Sequence, residues 1–112
     1  ALQERQKYGA GHGSEVAYVF NHLQNRWGIT EISPDDEKVE QIMHTYWANF
    51  AKNGDPNRSG LPIWPNYSLQ KEEIMDVETN GKPVGKPDPR KARFDVIEKS
   101  DKQRTRLQSR GI

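Results

Sequence analysis

Between Ser33 and Gly54 the chain carries start and stop signals for one long helix, and no other stretch limits the fold so tightly. Ser33 suits the N-cap, Pro34 the first helical position, and Asp35, Asp36 and Glu37 set negative charge at the positive end of the helix dipole. Val39, Ile42, Met43, Tyr46, Trp47 and Phe50 then recur at i, i+3, i+4 and i+7, a wide apolar stripe. Asn53-Gly54 supplies a left-handed cap at the other end. These signals predict a helix over 34–53. Its stripe has to be buried against something, and here composition matters. Of the 112 residues only 32% are hydrophobic, and mean hydropathy is -1.05, whereas ordinary domains are about 45–50% apolar with glycine counted. Charged residues, 29% of the chain, cancel to a net +1, unlike the single-sign charge of a disordered tail. Three tryptophans also demand packing partners. The expectation is one domain-sized segment whose core is completed by chain outside it.

Around this helix the sequence divides without internal repeats. Residues 1–23 open polar and reach Gly9-Ala10-Gly11-His12-Gly13-Ser14-Glu15, where the density of glycine dictates a loop. Val16, Val19, Phe20 and Leu23 follow at helical spacing, predicting a short helix that Ser14 is placed to cap. Residues 54–73 carry Pro56, Pro62 and Pro65 with Trp64 and Tyr67, which forbids a long regular element and predicts an ordered loop packed on a surface. Residues 74–78 read as a strand closed by the Asn80-Gly81 turn, and with no second good strand beside it, pairing elsewhere is expected. Asp88-Pro89 starts a terminal helix over 88–101, with Phe94, Ile97 and Val96 on its apolar face. Beyond Glu98 fraying is expected.

With no cysteine, disulfides and thiolate metal sites are excluded. The three histidines lack H-E-x-x-H spacing, so no zinc site and no cofactor is expected. No run approaches the roughly 18 apolar residues of a membrane span. The opening Ala1–Lys7 has no apolar region after its charges and does not begin with methionine, so the chain is expected to start within a longer polypeptide.

His12 is the residue most suited to chemistry. Glycines on both sides leave it little local packing, and histidine is the usual general base near neutral pH. From the residues alone two readings stand side by side, a general base and an exposed turn histidine. A nucleophile to accompany it is missing. Ser14 has Gly13 directly before it and no glycine two residues on, unlike the G-x-S-x-G elbow, and it reads as a cap or supporting group. His44, one step beyond Met43, reads as a boundary residue of the long helix, and His22 as the end of the short one. Tyr46, Trp47 and Phe50 read as core facing a sheet outside the chain, with an acyl-pocket lining as the alternative.

Gly11-His12-Gly13-Ser14-Glu15 followed by Val16-Ala17-Tyr18-Val19-Phe20 resembles the catalytic-histidine region of the type B carboxylesterase and cholinesterase family. Tyr46–Asn57, with its Gly54-Asp55-Pro56-Asn57 turn, is similar to that family's late helix, and Trp64-Pro65-Asn66-Tyr67 and the strand at Met75 follow in the same order. The resemblance covers roughly residues 9 to 98. It implies the C-terminal portion of an α/β-hydrolase fold, with helices and a short strand packed on a sheet that the chain lacks. It implies that His12 is the triad base of a serine esterase acting on a small-molecule ester. The serine and the triad acid would lie upstream in the same polypeptide, since the triad order in that fold is Ser, Asp or Glu, His. Gly11, Gly13, Ser14 and Glu15 would support the histidine. Three residues from His12, Glu15 is badly placed to be the triad acid and better placed to cap local amides. The family includes exported and cytoplasmic members, so the resemblance assigns no location.

Two rival readings come from other classes. Some relatives have lost the triad and act as adhesion proteins, against which stands the intact Gly-His-Gly-Ser-Glu context. The basic tail from Lys99 to Arg110 invites a nucleic-acid reading, but it has no interleaved aromatics and acidic residues precede it, as in a solvated helix. No nucleic-acid partner is therefore expected.

Overall fold

In the computed structural model, which describes residues 10–25, 32–109 and 111, the chain runs through six elements. They are a short helix α1 (Val16–Val19), a 3-10 turn (Leu23–Asn25), the long helix α2 (Pro34–Asn53), strands β1 (Glu73–Val77) and β2 (Pro83–Pro87), and helix α3 (Lys91–Ser109). The opening stretch 1–9, with Gly9, and Arg110 of the basic tail lie outside the described residues.

α2 begins where its cap demands. Ser33 is extended (φ -80°, ψ 158°), its hydroxyl accepts the Asp36 N–H at 3.1 Å, and the Asp36 carboxylate accepts the Ser33 N–H at 3.1 Å. This reciprocal box satisfies donors that the first helical turn leaves without partners. Asp36 also accepts from the Ser33 hydroxyl at 2.7 Å and the Tyr18 hydroxyl at 3.2 Å. Burial opposes ionisation of Asp36, but these donors outweigh it and hold the carboxyl below its ordinary value. Burial first, then the Asp36 charge, pushes the Tyr18 hydroxyl up to about 12. At the far end Gly54 takes the left-handed conformation (φ 72°) and donates to Phe50 O at 2.8 Å.

The apolar stripe of α2 is covered unevenly. Ala17, Val19 and Leu23 are buried where α1 and its following turn meet α2, and Tyr46 is buried beneath the proline-rich segment. Tyr46 donates its hydroxyl to Pro62 O and meets Trp64 edge-on, with centroids 5.2 Å apart. Trp47 and Phe50, from the same stripe, stay 40% and 60% exposed. The proline-rich segment is ordered by a side chain acting as a peptide. Asn57 accepts the Trp64 N–H at 2.7 Å and donates to the Trp64 carbonyl at 3.2 Å, as a neighbouring strand would.

One expectation about the strand fails. β1 pairs within the chain, antiparallel to β2, with Glu73 opposite Pro87 and Val77 opposite Pro83. Pro83-Val84-Gly85-Lys86-Pro87 does not read as a strand because proline cannot donate to a ladder. The flanking bonds explain why it is tolerated. Glu78 N–H reaches Lys82 O at 2.9 Å and Asp88 N–H reaches Glu72 O at 3.1 Å. Antiparallel pairs alternate between bonded and non-bonded, so both prolines fall at non-bonded positions. Gly81, in the connecting turn at φ 76°, sits against α2, where a Cβ would lie 3.2 Å from Val39 and 3.3 Å from the Asp35 carbonyl. The two-stranded sheet thereby packs its tip on the start of α2.

The terminal helix also departs from expectation. α3 starts after an Asp88 turn, with Asp88 accepting the Arg90 N–H at 2.8 Å, and continues to Ser109 instead of fraying beyond Glu98. Pairs at helical spacing, Lys102 with Glu98 and Arg104 with Asp101, support the extension. Its apolar residues Phe94, Val96, Ile97 and Leu107 are exposed.

Asp36→Asn is expected to lower stability at neutral pH by about 1 kcal/mol, the usual worth of a cap. With a depressed folded-state pKa, the Asp36 contribution is complete above the unfolded value of about 3.9 and is lost as pH falls through the folded value. In the full-length polypeptide, unfolding free energies of wild type and variant should therefore converge on acidification; a gap constant with pH would refute this role.

Candidate active site

His12 stands on a tight turn that its neighbours build. Ser14 N–H reaches back to Gly11 O at 3.2 Å, closing a four-residue turn with His12 second and Gly13 third. Gly13 has φ 71° and His12 does not enter the positive region, the combination of a type II turn, which selects glycine at the third place. A second bond, Val16 N–H to Gly13 O at 3.3 Å, leads the chain into α1. His12 is exposed, and among the described residues no hydrogen bond engages its ring.

The supporting residues differ from their expected parts. Glu15, not Ser14, occupies the N-cap position of α1, with helical φ and ψ and no side-chain cap bond. Neither the serine cap nor the glutamate cap therefore forms. The first helical N–H, that of Val16, is taken by Gly13 O. At Gly11 and Gly13 a Cβ would meet nothing within 4 Å, so the glycines permit no close approach among the described residues, and only Gly13 is required, by its φ. Phe20, expected on the buried face, is 68% exposed, since the helix ends one residue before it.

The exit from α1 is a Schellman motif. Asn21 takes the left-handed conformation (φ 55°), His22 N–H reaches Ala17 O at 2.9 Å, and Asn21 N–H reaches Tyr18 O at 3.3 Å. Side chains of α2 complete it. His44 Nδ1 lies 2.8 Å from Val19 O, and Glu40 accepts the Leu23 N–H at 2.8 Å. A carbonyl only accepts, so Nδ1 of His44 carries a proton. Sequence reading gave these two residues no part in the site. The available signal was the four-residue spacing of Asp36, Glu40 and His44, which sets them on one helix face.

Along the C-terminal half of α2, a groove of about 800 Å³ is lined by Tyr46, Trp47, Phe50, Trp64, Tyr67 and Met75, among others. No residue of the His12 turn lines it. Among the described residues no three His, Asp or Glu side chains are grouped to hold a metal ion. No described helix is long and apolar enough to cross a membrane.

Comparison with known proteins agrees with the motifs. A model of the carboxylesterase family matches residues 2–97. The chain is 44% identical over 71 residues to pyrethroid hydrolase Ces2a of Mus musculus, an alignment covering 62% of this chain and 12% of that protein. It is 34% identical over 85 residues to the medium-chain fatty acyl-CoA hydrolase precursor of Anas platyrhynchos, covering 76% and 14% respectively. Over 66 residues it is 36% identical to cocaine esterase of Homo sapiens, covering 59% and 12%. The chain thus matches only about an eighth of the length of these relatives.

Replacing Gly13 by valine is expected to strain the turn by roughly 1–3 kcal/mol, while asparagine, which tolerates a left-handed backbone, strains it less. Unfolding free energies of Gly13→Val and Gly13→Asn in the full-length polypeptide check the order; equal values would mean that the turn has relaxed to another geometry.

Proposed function

This chain belongs to the carboxylesterase family, and from that premise we propose that it contributes the base histidine of a serine-type carboxylic ester hydrolase with an α/β-hydrolase fold. The observation that carries the reading is His12 itself, held out on a glycine-flanked turn immediately before a helix that is bonded to the rest of the structure. A general base has to reach a proton on another group, so it needs an accessible ring on an anchored backbone.

In this mechanism His12 takes the proton of an upstream serine as the serine oxygen attacks the ester carbonyl. It then delivers that proton to the departing alcohol, leaving an acyl-enzyme. In the second half it removes a proton from water, which attacks the acyl carbonyl, and returns it to the serine as the acid leaves. An upstream carboxylate orients the ring and stabilises the imidazolium. The relatives' names speak of pyrethroid, fatty acyl-CoA and cocaine hydrolysis, all cleavage at an acyl carbon, and a small-molecule ester fits that range.

In the full-length polypeptide, His12→Ala is expected to lower kcat for a short-chain nitrophenyl ester by roughly 10⁴ to 10⁶ with folding intact. Unchanged turnover would remove His12 from the role of base, and no turnover in either form would favour a binding relative of the same fold. The 112-residue chain by itself is expected to be inactive and only partly folded, its exposed Trp47, Phe50 and Phe94 lacking cover. A cooperative thermal transition together with ester hydrolysis by the isolated chain would overturn this.

A further inference from the structure

α1 has four residues, too few to persist on helical propensity alone. It is nevertheless the element through which the His12 turn joins the described structure. Its end therefore has to be held from outside, and the unpaired backbone groups show where. Phe20, His22 and Asn21 N–H groups occupy the carbonyls of Val16, Ala17 and Tyr18. That leaves the Val19 carbonyl, which the Schellman motif does not reach, and the N–H of Leu23 just beyond. One is an acceptor and the other a donor. α2 presents the complementary group to each, His44 Nδ1–H to the carbonyl and the Glu40 carboxylate to the N–H, both at 2.8 Å. Tyr18 adds a third bond, to Asp36, on the same face of α2. Leu23 is almost fully buried, so the N–H at this point has little access to water and depends on its protein acceptor.

We propose that His44 and Glu40 are positioning residues for the hydrolytic reaction, a clamp that fixes the end of α1 and hence the placement of the turn bearing His12. The inference rests on the esterase reading above. Neither residue is required to touch substrate. Each acts on a backbone atom of α1 or the turn that follows it, and α1 passes the constraint to His12 four residues before its start. Displacing a catalytic group by about 1 Å can cost on the order of 100-fold in rate, so a clamp lost at one bond should appear in kcat while substrate binding is left alone.

Because the partner atoms are backbone, the clamp is indifferent to the identity of the side chain provided that a donor or acceptor arrives at the same point. This allows a rescue test in the full-length enzyme. His44→Leu keeps bulk and removes the donor; His44→Asn places an amide N–H near the position of Nδ1. The expected result is kcat lowered about tenfold or more in His44→Leu, KM within about twofold of wild type, and most of the loss recovered in His44→Asn. Equal losses in both variants, a loss carried by KM, or full kcat in a folded His44→Leu would overturn the proposal. If His44→Leu does not fold, Glu40→Leu against Glu40→Gln makes the same comparison at the other bond: Gln keeps an acceptor and should retain kcat where Leu does not, and equal kcat in the two would overturn it. His12→Ala measured in parallel separates the two readings. Activity that survives loss of His12 removes its assignment as the base and with it the reading on which the clamp rests, whereas a dead His12→Ala beside a fully active His44→Leu removes only the clamp.

Discussion

Backbone groups that a short helix cannot satisfy within itself have to find partners elsewhere, and in this chain they find them on α2. α1 leaves the Val19 carbonyl and, just past it, the Leu23 N–H without local partners; His44 and Glu40 meet both. An unmade bond at such a site costs about 1–3 kcal/mol when water is excluded, a sum that a four-residue helix has no means of absorbing. The end of the helix that follows the His12 turn is therefore bonded to groups of α2 that lie 17 and 25 residues further along the chain. α2 can serve as that frame because both its ends are closed, by the Ser33–Asp36 box and by left-handed Gly54.

The C-terminal half of the same helix orders the proline-rich segment. Tyr46 is the pivot: its ring is buried, its hydroxyl reaches Pro62 O, and Trp64 packs edge-on against it. Asn57 then pins Trp64 through both backbone groups. The proline-rich segment is held without regular secondary structure because one carboxamide and one phenol replace the ladder that prolines deny it. Gly81 and Gly85 let the hairpin approach this assembly, the first against α2 and the second against Pro65. What remains uncovered is apolar: Phe50, Ile63, Tyr67 and Leu69 face outward. In a chain that matches about an eighth of its relatives' length, such a surface is what a part of a larger fold would present.

Legibility followed the range of the forces involved. The extent of α2 could be read from Ser33, Pro34, three acidic residues and Gly54 because capping is a matter of adjacent atoms. The His12 turn could be read from its glycines, for the same reason. The β2 strand could not: its prolines speak against a ladder, and only the register with β1 shows that both sit where no bond is needed. Ser14 and Glu15 looked like caps by position, yet neither side chain makes a cap bond, and the Val16 N–H goes to the Gly13 carbonyl. The length of α3 was underestimated because apolar periodicity stops at Ile97, while charged pairs sustain the helix to Ser109.

By itself, then, the sequence determined the local geometry, namely a capped twenty-residue helix and a glycine-dependent turn that exposes His12, and also the family to which the chain belongs. Those outcomes depend on φ preferences and on bonds between near neighbours, which a linear pattern records. Tertiary structure alone decided which groups of α2 face α1, that His44 and Glu40 bond the Val19 carbonyl and the Leu23 N–H at its end, and that two proline-bounded strands pair. Those depend on complementarity between atoms distant in sequence, where a donor has meaning only once its acceptor has been brought within about 3 Å.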